Sequence, residues 1–343
     1  MSKILRCGII LFYDKDTVLV KTPAQKYSFP KGKKKCDETD FETALRETFE
    51  ETGFSNDDFV VCTDESGNLL SVVEYRKKSD VKYYIARLKN RINIRVSNSE
   101  ELEDAVYENI ERVFNIPIQH LREERVVAFK NAVSMYEKWV TSSNKKINTK
   151  DDNRWSKYTS WALRHGIIKL GLDSVITKDG YVPFQSLLSL KDMDECDINH
   201  LLRVVELSDK KRLGITVRND QLAIRANQGH CLEVGLLLDD DLMMERVTRA
   251  YPVCIHGTNK KAIKAIEEGG LKPMNRKHIH MAIGLPTDSH VISGMRKTSK
   301  VIIYINMQKA MDNGKRFYVS ENNVILTADT IEPDLFDKVE YVK

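Results

Sequence analysis

Residues 32–54 read GKKKCDETDFETALRETFEETGF, and this stretch carries the clearest local structural signal in the chain. Thr39 is a favourable helix N-cap, and Glu42, three residues later, completes a capping box. Gly53 stands where helices commonly end in a residue with positive φ. The stretch therefore predicts a helix that begins after Thr39 and ends before Gly53.

The predicted helix has two faces of opposite character. Helical spacing places the apolar residues on one face: Phe41, Ala44, Leu45 and Phe49. The other face carries three glutamates at i, i+3 and i+4 spacing: Glu47, Glu50 and Glu51. Because three carboxylates on one face repel one another, a divalent cation such as Mg²⁺ or Mn²⁺ would relieve the conflict by binding their oxygens together with substrate phosphates. A solvated acidic surface is the alternative interpretation.

The complete spacing resembles the Nudix box, G-x5-E-x7-REUxEExGU. The match comprises Gly32, Glu38, Arg46, Glu47, Glu50, Glu51, Gly53 and Phe54. It departs at Thr48, where the pattern prefers an aliphatic residue. The resemblance implies a Nudix hydrolase domain over residues 1–140, with an α/β/α sandwich fold, that hydrolyses a nucleoside diphosphate linked to another group.

The resemblance also implies a role for each residue of the box. The predicted ligands of a Mg²⁺ or Mn²⁺ ion that polarises the phosphate and activates water are Glu47, Glu50 and Glu51. Arg46 would orient these glutamates through charge-assisted hydrogen bonds, and Glu38 would be structural. Many members of the family use a further acidic residue beyond the box. Glu100 and Glu101 are candidates by residue type alone, and ordinary surface charge is the alternative for both.

Length and composition limit the classes of protein that the chain can represent. A chain of 343 residues favours two or three domains, and 41% hydrophobic with 30% charged residues is typical of a globular protein that has no membrane partner. Six cysteines without CxxC spacing suggest neither a zinc site nor a disulfide framework, so a cytoplasmic or nuclear location is expected. The net charge of +4 does not by itself argue for nucleic-acid binding.

Hydrophobic periodicity divides the first part of the chain into short strands and a few helices. Strands are predicted at 7–13, 17–21, 69–75 and 81–88, and helices at 99–114 and 120–140. The polar stretch at residues 141–153, TSSNKKINTKDDN, has almost nothing to bury and is interpreted as a linker.

Beyond the linker, the pattern changes to three helices, at 155–170, 184–190 and 198–207, followed by a hairpin of strands 213–218 and 221–225. This order predicts a winged-helix lobe over residues 154–225, a common platform for nucleic acids. The remainder, 226–343, reads as a mixed α+β lobe of short strands with a helix near 260–268. The overall class is therefore α/β multidomain.

Four short segments of this second part combine cationic or imidazole side chains with glycine or amide residues. They are LRHG at 163–166, IRANQGH at 224–230, HGT at 256–258 and RKHIH at 276–280. Seven of the eight histidines also lie after position 150. Arginine recognises phosphate in a bidentate manner, and an adjacent glycine lets a ligand approach the backbone. His200 and His290 fall outside these segments and are interpreted as structural. The pair His278 and His280 lacks an evident third metal ligand.

In this order, the segments resemble the tRNA 2′-phosphotransferase family, whose NAD-binding lobe is related to ADP-ribosyltransferases. The likeness extends from about residue 155 to the C-terminus and includes GYVP at 180–183 and GLKPM at 270–274. Three positions depart from the family pattern: Cys231 replaces serine, Asn323 replaces glycine and Ile325 replaces tryptophan.

The resemblance implies that an internal RNA 2′-phosphate is transferred to NAD⁺, which releases nicotinamide and yields 2′-hydroxyl RNA and ADP-ribose 1″,2″-cyclic phosphate. The implied catalytic residues are Arg164, His165, Arg225 and Arg276. The implied NAD-binding residues are Asn227, Gln228, Gly229, His230, His256, Gly257, Thr258 and His280. The expected partners are 2′-phosphorylated RNA, tRNA above all, and a nucleotide substrate for the Nudix domain.

Several alternatives remain open from the sequence. The second part could bind ADP-ribose or phosphorylated RNA without turnover, or it could ADP-ribosylate phosphorylated nucleic-acid ends and stop after that step. The Nudix domain could hydrolyse the cyclic phosphate product of its neighbour, or it could process RNA 5′ ends such as caps. Lysines 31, 33, 34 and 35 beside the box favour a polyanionic substrate, although such clusters also serve solubility.

Overall fold

The computed structural model describes residues 4–77, 79–96, 102–143, 152–208, 210–285 and 298–342. The chain forms two compact units that divide close to residue 146. The candidate acids Glu100 and Glu101, the structural assignment of His290, and most of the predicted linker at 141–153 lie outside the described residues.

The described part of the first unit contains eight strands and three helices. In chain order they are β1 (Ile4–Tyr13), β2 (Asp16–Lys21), β3 (Tyr27–Ser28), β4 (Lys31–Lys33), α1 (Asp40–Thr52), β5 (Phe59–Val61), β6 (Ser71–Glu74), β7 (Asp80–Leu88), β8 (Asp104–Asn109), α2 (Ile110–Phe114) and α3 (Glu123–Ser143). The strands form one sheet in the order β3-β2-β1-β7-β5, with β4 added to β1, β6 to β7 and β8 to β2. Strands β1 and β7 are parallel, and the other pairs are antiparallel.

Helices α1 and α3 cover opposite faces of this sheet. Helix α1 packs on β1, β4 and β7, and α3 packs on β6 and β7. Successive side chains of a strand point to opposite faces. Accordingly, the ring of Tyr84 meets Phe41 of α1, whereas Tyr83 meets Phe29, which stacks on Phe129 of α3. The sheet thus holds the carboxylate helix on one face and the larger aromatic core on the other.

The predicted ends of α1 are confirmed, but one residue of its predicted apolar face is wrong. Thr39 and Glu42 form the capping box, and Gly53 has φ 77°. Phe49 is 54% exposed, whereas Thr48 is fully buried. The reason is the helical period: residues 41, 44, 48 and 52 follow one face, and position 49 lies about 100° further round the axis.

The predicted helix at 99–114 is wrong over most of its described part, residues 102–114. Residues Asp104–Asn109 form β8, which pairs antiparallel with all of β2, and only Ile110–Phe114 is helical. The local pattern carries little information here because pairing with a distant strand overrides a weak helix preference. The following helix is confirmed, with observed bounds Glu123–Ser143.

The described part of the second unit begins with helices and continues with strands. In chain order its elements are α4 (Asp152–Trp161), a π-helical turn (Ala162–Gly166), β9 (Val182–Pro183), α5 (Phe184–Leu188), a 3₁₀ turn (Lys191–Met193), α6 (Ile198–Glu206), β10 (Leu213–Arg218), β11 (Gln221–Ala226), α7 (Leu232–Gly235), α8 (Asp240–Met243), β12 (Glu245–Arg246), β13 (Ile255–Thr258), α9 (Ile263–Gly269), β14 (Ile279–Ala282), β15 (Val301–Ile305), α10 (Met307–Asp312), β16 (Tyr318–Val319), β17 (Val324–Thr327), a 3₁₀ turn (Pro333–Leu335) and β18 (Phe336–Tyr341).

These strands form two sheets. A small sheet has the order β10-β11-β9, and a larger antiparallel sheet has the order β12-β16-β17-β14-β13-β15-β18. The core of the larger sheet is formed by aliphatic residues with Phe317. No helix in the described ranges is long and apolar enough to span a bilayer.

The local predictions for this unit hold except at one helix. The hairpin β10–β11 is confirmed, and both turn residues, Asn219 and Asp220, have positive φ, as a tight hairpin turn requires. The helix predicted at 155–170 instead leaves α-helical geometry after Trp161 and passes through the π-helical turn. His200 is structural as predicted, since it completes a capping box with Asp197 at the start of α6.

The buried hydroxyl groups of α1 provide a test of this packing. Thr48 Oγ1 is buried and has no hydrogen-bond partner among the described residues. In contrast, Thr52 Oγ1 donates to Thr48 O at 2.6 Å and accepts from Phe54 N at 3.2 Å. We expect Thr48→Val to raise the free energy of unfolding of the first unit by about 1 kcal/mol, and Thr52→Val to lower it by about as much. Native-state hydrogen exchange of α1 measures both, and shifts of the same sign in the two variants would contradict the account.

Candidate functional sites

Arg46 is the centre of the acidic site on α1. Its guanidinium donates to Glu38 Oε1 at 2.6 Å, to Glu47 Oε1 at 2.7 Å, to Glu50 Oε2 at 3.0 Å and to Lys33 O at 3.0 Å. Hydrogen bonds from Arg46 lower the pKa of Glu38 to about 2. Arg46 therefore connects the loop before α1 with two of the three predicted metal ligands.

Strand β4 packs directly against the other side of these glutamates. Glu51 is buried and accepts a hydrogen bond from the backbone N–H of Lys31 at 2.9 Å. A Cβ atom at Gly32 would lie 2.0 Å from the Glu47 carboxylate, so the contact requires glycine at this position. Burial lowers the pKa of Lys31 to about 8. The negative charge of Glu51 opposes this shift, whereas the positive charges of Arg125, Arg76 and Arg6 lower the pKa further.

The donor set fits a hard divalent cation, although the carboxylates are held apart in this conformation. Among the described residues, no three His, Cys, Asp or Glu side chains converge closely enough to hold a metal ion. Arg46 holds Glu47 and Glu50, and the backbone of Lys31 holds Glu51. Carboxylate oxygens are the ligands that Mg²⁺ and Mn²⁺ prefer, so Glu47, Glu50 and Glu51 could bind such an ion.

The second unit contains a cleft of about 770 Å³. Its walls include seven of the twelve residues predicted to be catalytic or NAD-binding in this unit: Arg164, Gln228, His256, Gly257, Thr258, Arg276 and His280. Five others, His165, Arg225, Asn227, Gly229 and His230, are not among its lining residues. The segments at 163–166, 224–230, 256–258 and 276–280 therefore meet in space, with most but not all of their predicted residues facing the cleft.

Arg164 is held in the cleft wall without acceptors for its charge. It lies on the π-helical turn, and its Nε and Nη2 atoms are buried with no hydrogen-bond partner in the part of the chain that the structure describes. Burial, followed by the charges of Arg212 and Arg276, lowers the pKa of Arg164 to about 10. Three guanidinium groups close together without a compensating carboxylate on Arg164 favour an anionic ligand.

The backbone around Arg164 is fixed by the segment at 224–230 and its successor. Gly229 has φ 92°, and a Cβ atom there would lie 3.4 Å from Arg164 Nε. The N–H of Cys231 donates to Arg164 O at 3.0 Å, and Cys231 forms an isolated β-bridge with Arg276. The next residue, His165, is exposed at the surface. The partial desolvation of its ring, together with the positive charges of Arg164 and Arg276, lowers the pKa of His165. A neutral imidazole is therefore expected at neutral pH.

Arg225 is positioned by a different set of contacts. Its guanidinium lies over the ring of Tyr181 at 4.7 Å, donates to Asp179 O at 3.2 Å and lies 3.4 Å from Glu321 Oε2. Its Nε atom is buried and has no partner among the described residues. One N–H of Arg225 is thus still available to an additional acceptor.

His230, His256 and His280 are neutral hydrogen-bonding groups, because burial lowers the pKa of each imidazole. His256 Nδ1 donates to His280 O at 2.9 Å, and His280 Nε2 lies 2.9 Å from Gln228 Oε1. Burial lowers the pKa of both His230 and His280 to about 3. His230 Nε2 is buried without a partner in the described ranges, as is Asn227 Oδ1. Polar atoms of this kind are candidates for contacts with a bound nucleotide.

His278 and His280 make separate contacts. His278 Nε2 lies 3.0 Å from Asp240 Oδ2, and Lys277 Nζ donates to the other oxygen of this carboxylate, Oδ1, at 2.9 Å. The two carboxylate contacts hold the pKa of Asp240 below its usual value against the effect of burial. This pairing fixes the chain between Arg276 and β14, and sequence reasoning missed it because Asp240 lies far away in the sequence.

Sequence reasoning also missed three polar residues in the cleft wall: Lys210, Arg212 and Asn259. The run Lys210-Lys211-Arg212 before β10 was a visible signal. Two of the departures from the family pattern have local explanations. Asn323 has φ 58°, which asparagine tolerates better than most residues. Cys231 stands at the N-cap of α7 without a side-chain capping bond, which serine would supply.

Comparison with known families agrees with this division of the chain. The family model described as RNA 2'-phosphotransferase, Tpt1 / KptA family, matches residues 150–329, more than half of the chain. The model described as NUDIX domain matches residues 3–128.

Several curated proteins are similar to the second part of the chain. The tRNA 2'-phosphotransferase 1 of Danio rerio is 38% identical over 202 residues, which are 56% of this chain and 87% of that protein. The tRNA 2'-phosphotransferase 1 of Homo sapiens is 38% identical over 190 residues, which are 54% of this chain and 73% of that protein. The tRNA 2'-phosphotransferase of Saccharomyces cerevisiae is 35% identical over 55% of this chain and 84% of its own length.

Solved structures are similar to the first part. An Ap4A hydrolase of C. elegans in a binary complex covers 40% of this chain and 99% of its own, with a TM-score of 0.33 and 18% identity. The MutT protein of Methanosarcina mazei Go1 covers 42% of this chain and 97% of its own, with a TM-score of 0.30 and 18% identity. From the family models and the curated relatives, the chain belongs to the RNA 2'-phosphotransferase, Tpt1 / KptA family, and carries a NUDIX domain at its N-terminal end.

Proposed function

We propose that the second unit removes an internal 2′-phosphate from RNA, with tRNA as the expected substrate, and transfers it to NAD⁺. The products would be 2′-hydroxyl RNA, nicotinamide and ADP-ribose 1″,2″-cyclic phosphate. One observation carries the proposal: the buried, unpartnered N–H groups of Arg164 stand beside Arg276 in a cleft large enough for a nucleotide. The names of the relatives support RNA as the phosphate donor.

A 2′-phosphate provides the charge that this arrangement needs. A phosphate monoester carries a charge of about −1.5 to −2 near neutral pH and offers three acceptor oxygens. Guanidinium groups bind such oxygens through short, charge-assisted hydrogen bonds. In the proposal, Arg164, Arg225 and Arg276 bind the phosphate and stabilise negative charge that develops during its transfer. The neutral ring of His165 contributes a hydrogen bond or accepts a proton.

The NAD⁺ side of the proposed site is built from neutral polar groups. NAD⁺ supplies an electrophilic ribose carbon from which nicotinamide departs as the phosphate is transferred. The proposed contacts come from Asn227, Gln228, Gly229, His230, His256, Gly257, Thr258 and His280. The unpartnered Nε2 of His230 and Oδ1 of Asn227 fit this role because each still needs one hydrogen-bond partner.

We assign the finer architecture of the unit on the same basis. Residues 154–225 would form a winged-helix lobe that binds RNA, a proposal supported by helices α4, α5 and α6 together with the small sheet β10-β11-β9. Residues 226–343 would form an ADP-ribosyltransferase-like lobe that binds NAD⁺, and the antiparallel sheet from β12 to β18 supports this assignment.

For the first unit, we propose metal-dependent hydrolysis of a nucleoside-diphosphate-type substrate. A Mg²⁺ or Mn²⁺ ion bound by Glu47, Glu50 and Glu51 would neutralise phosphate charge and lower the pKa of bound water. Arg46 would keep the carboxylates oriented, and its contacts with Glu38 and Lys33 O support that role. The chain would then be a bifunctional enzyme with one metal-independent and one metal-dependent reaction.

Phosphate transfer is tested with a short RNA that carries one radiolabelled internal 2′-phosphate, together with NAD⁺ and EDTA. We expect the label to appear in ADP-ribose cyclic phosphate, and we expect Arg225→Ala to slow this transfer on the order of 100-fold. Arg218→Ala is the matched control because Arg218 contacts the same Tyr181 and Asp179 but lies further from the ring, at 5.6 Å. Unchanged RNA, or equal rates for the two variants, would refute the proposal. ADP-ribose retained on the RNA would mean that the reaction stops after its first step.

Metal-dependent hydrolysis is tested with ADP-ribose and Mg²⁺, which give AMP and ribose 5-phosphate if the first unit is active. We expect Glu50→Gln to lower the rate on the order of 100-fold because it removes a charged metal ligand. The same variant should transfer the RNA phosphate normally in EDTA. Glu137→Gln, on the exposed side of α3, is the control. Full hydrolysis by Glu50→Gln would exclude Glu50 from metal binding.

A further inference from the structure

The cleft of the second unit carries more positive charge than one 2′-phosphate requires. None of its described lining residues is acidic, and five are lysine or arginine: Arg164, Lys210, Arg212, Lys272 and Arg276. A phosphate monoester has a charge of about −1.5 to −2, which Arg164 and Arg276 can balance. Lys272 comes from the part of the unit that is proposed to bind NAD⁺. Lys210 and Arg212 therefore have no ligand assigned to them.

The backbone of residues 210–212 is fixed by two buried asparagines from other segments. The fully buried Asn322 donates from Nδ2 to Lys210 O at 2.9 Å. Asn227 donates from Nδ2 to Lys211 O at 2.9 Å, and its backbone N–H donates to Arg212 O at 3.0 Å. Lys211 has φ 42°, a conformation that costs free energy for a lysine. The three hydrogen bonds to consecutive carbonyl groups hold this conformation, and such over-determined strain is common at binding sites.

The bend at Lys211 separates the three side chains of this run. Lys210 and Arg212 line the cleft, whereas Lys211 is exposed and is not among the lining residues. Within the ranges that the structure describes, neither the Lys210 ammonium nor the Arg212 guanidinium has a hydrogen bond or an ion pair. Both side chains are thus available to an anion that enters the cleft.

The place of these side chains in the fold favours RNA as the source of that anion. Lys210 and Arg212 precede β10 of the small sheet, and Arg164 lies on the π-helical turn after α4, so all three belong to residues 154–225. The neutral groups proposed for NAD⁺, such as His256 and His280, come from β13 and β14 of the larger sheet. Burial and then the charge of Arg212 lower the pKa of Arg164, which indicates that Arg212 acts beside the proposed 2′-phosphate site.

We propose that Lys210 and Arg212 form a second anion subsite, which binds the phosphodiester on the 3′ side of the nucleotide that carries the 2′-phosphate. The proposal rests on the proposed function of the second unit and specifies its substrate class. An internal 2′-phosphate shares its ribose with a 3′-phosphodiester, so the two anionic groups stand on adjacent carbon atoms. Arg164 and Arg212 match this pair, because each guanidinium binds phosphate oxygens through charge-assisted hydrogen bonds.

The subsite is tested with two RNAs, one with an internal 2′-phosphate and one with a 2′-phosphate on its 3′-terminal nucleotide, which has no 3′-phosphodiester. The readout is kcat/KM for phosphate transfer by the full chain with saturating NAD⁺ in EDTA. We expect Arg212→Gln to lower kcat/KM about tenfold for the internal phosphate and to change it less than about twofold for the terminal one. Lys210→Gln should act in the same direction. Lys211→Gln is the matched control, because it removes the same charge from an adjacent side chain that does not line the cleft.

A binding measurement without NAD⁺ gives a second, independent readout. The dissociation constant of the RNA with the internal 2′-phosphate is measured over a range of salt concentrations in EDTA. Each phosphate contact to a single strand contributes about 0.7 to the slope of log Kd against log salt concentration. We expect Arg212→Gln to reduce this slope by about that amount and Lys211→Gln to leave it unchanged.

The outcomes separate this subsite from the proposed function. Equal losses on the two RNAs would overturn the subsite and leave phosphate transfer intact, because Arg212 would then act on the 2′-phosphate itself. A raised KM for NAD⁺ with unchanged discrimination between the RNAs would also overturn it and would assign Arg212 to the pyrophosphate of NAD⁺. If the unmodified chain transfers phosphate from neither RNA, the proposed function fails. The salt dependence then decides, since an unchanged slope in Arg212→Gln would overturn the subsite.

Discussion

The second unit depends on one buried group, the guanidinium of Arg164, which several distant segments hold in place. Two of its nitrogen atoms have no acceptor within the described structure, and Arg212 and Arg276 add charge of the same sign. Such an arrangement is unfavourable in isolation because desolvating an unpaired cation costs several kcal/mol. It persists because distant segments hold it: the π-helical turn presents Arg164, Gly229 packs against its side chain, and the backbone of Cys231 binds its carbonyl. A phosphate that binds here would supply the missing charge.

The first unit presents the opposite problem on the α1 face of its sheet, where carboxylates are in excess. Arg46 compensates three of them, Glu38, Glu47 and Glu50, through direct hydrogen bonds. On the other face, buried Glu74 accepts hydrogen bonds from two arginines, Arg76 and Arg125. In both places one charged side chain holds several partners of the opposite sign.

Features determined by a few neighbouring residues could be predicted from the sequence. The capping box at Thr39, the positive φ of Gly53 and the hairpin turn at Asn219 all follow from local chemistry, and all are observed. Features that depend on distant partners could not. Residues 104–109 form a strand because β2 offers them a pairing edge, and Phe49 is exposed because the sheet contacts Thr48 instead.

The candidate sites show the same limit. Motif spacing identified the arginines and histidines of four segments. It could not reveal that the charge of Arg212 acts on Arg164, or that the carboxylate of Asp240 pairs with His278. The pairing of Glu74 on β6 with Arg125 on α3 is a further case, because neither residue is unusual in its own sequence context and the two are far apart in the sequence.

We propose that a 2′-phosphate accepts hydrogen bonds from the arginine N–H groups of the second unit that lack an acceptor among the described residues, those of Arg164 and Arg225. The most direct measurement compares binding of two RNAs of identical sequence, one with an internal 2′-phosphate and one with a 2′-hydroxyl group, in EDTA and without NAD⁺. Because a hydrogen bond to a charged group contributes about 1.5–3 kcal/mol, we expect the phosphorylated RNA to bind roughly 100-fold more tightly, and Arg164→Gln to remove most of that difference. Equal affinity for the two RNAs would contradict the account.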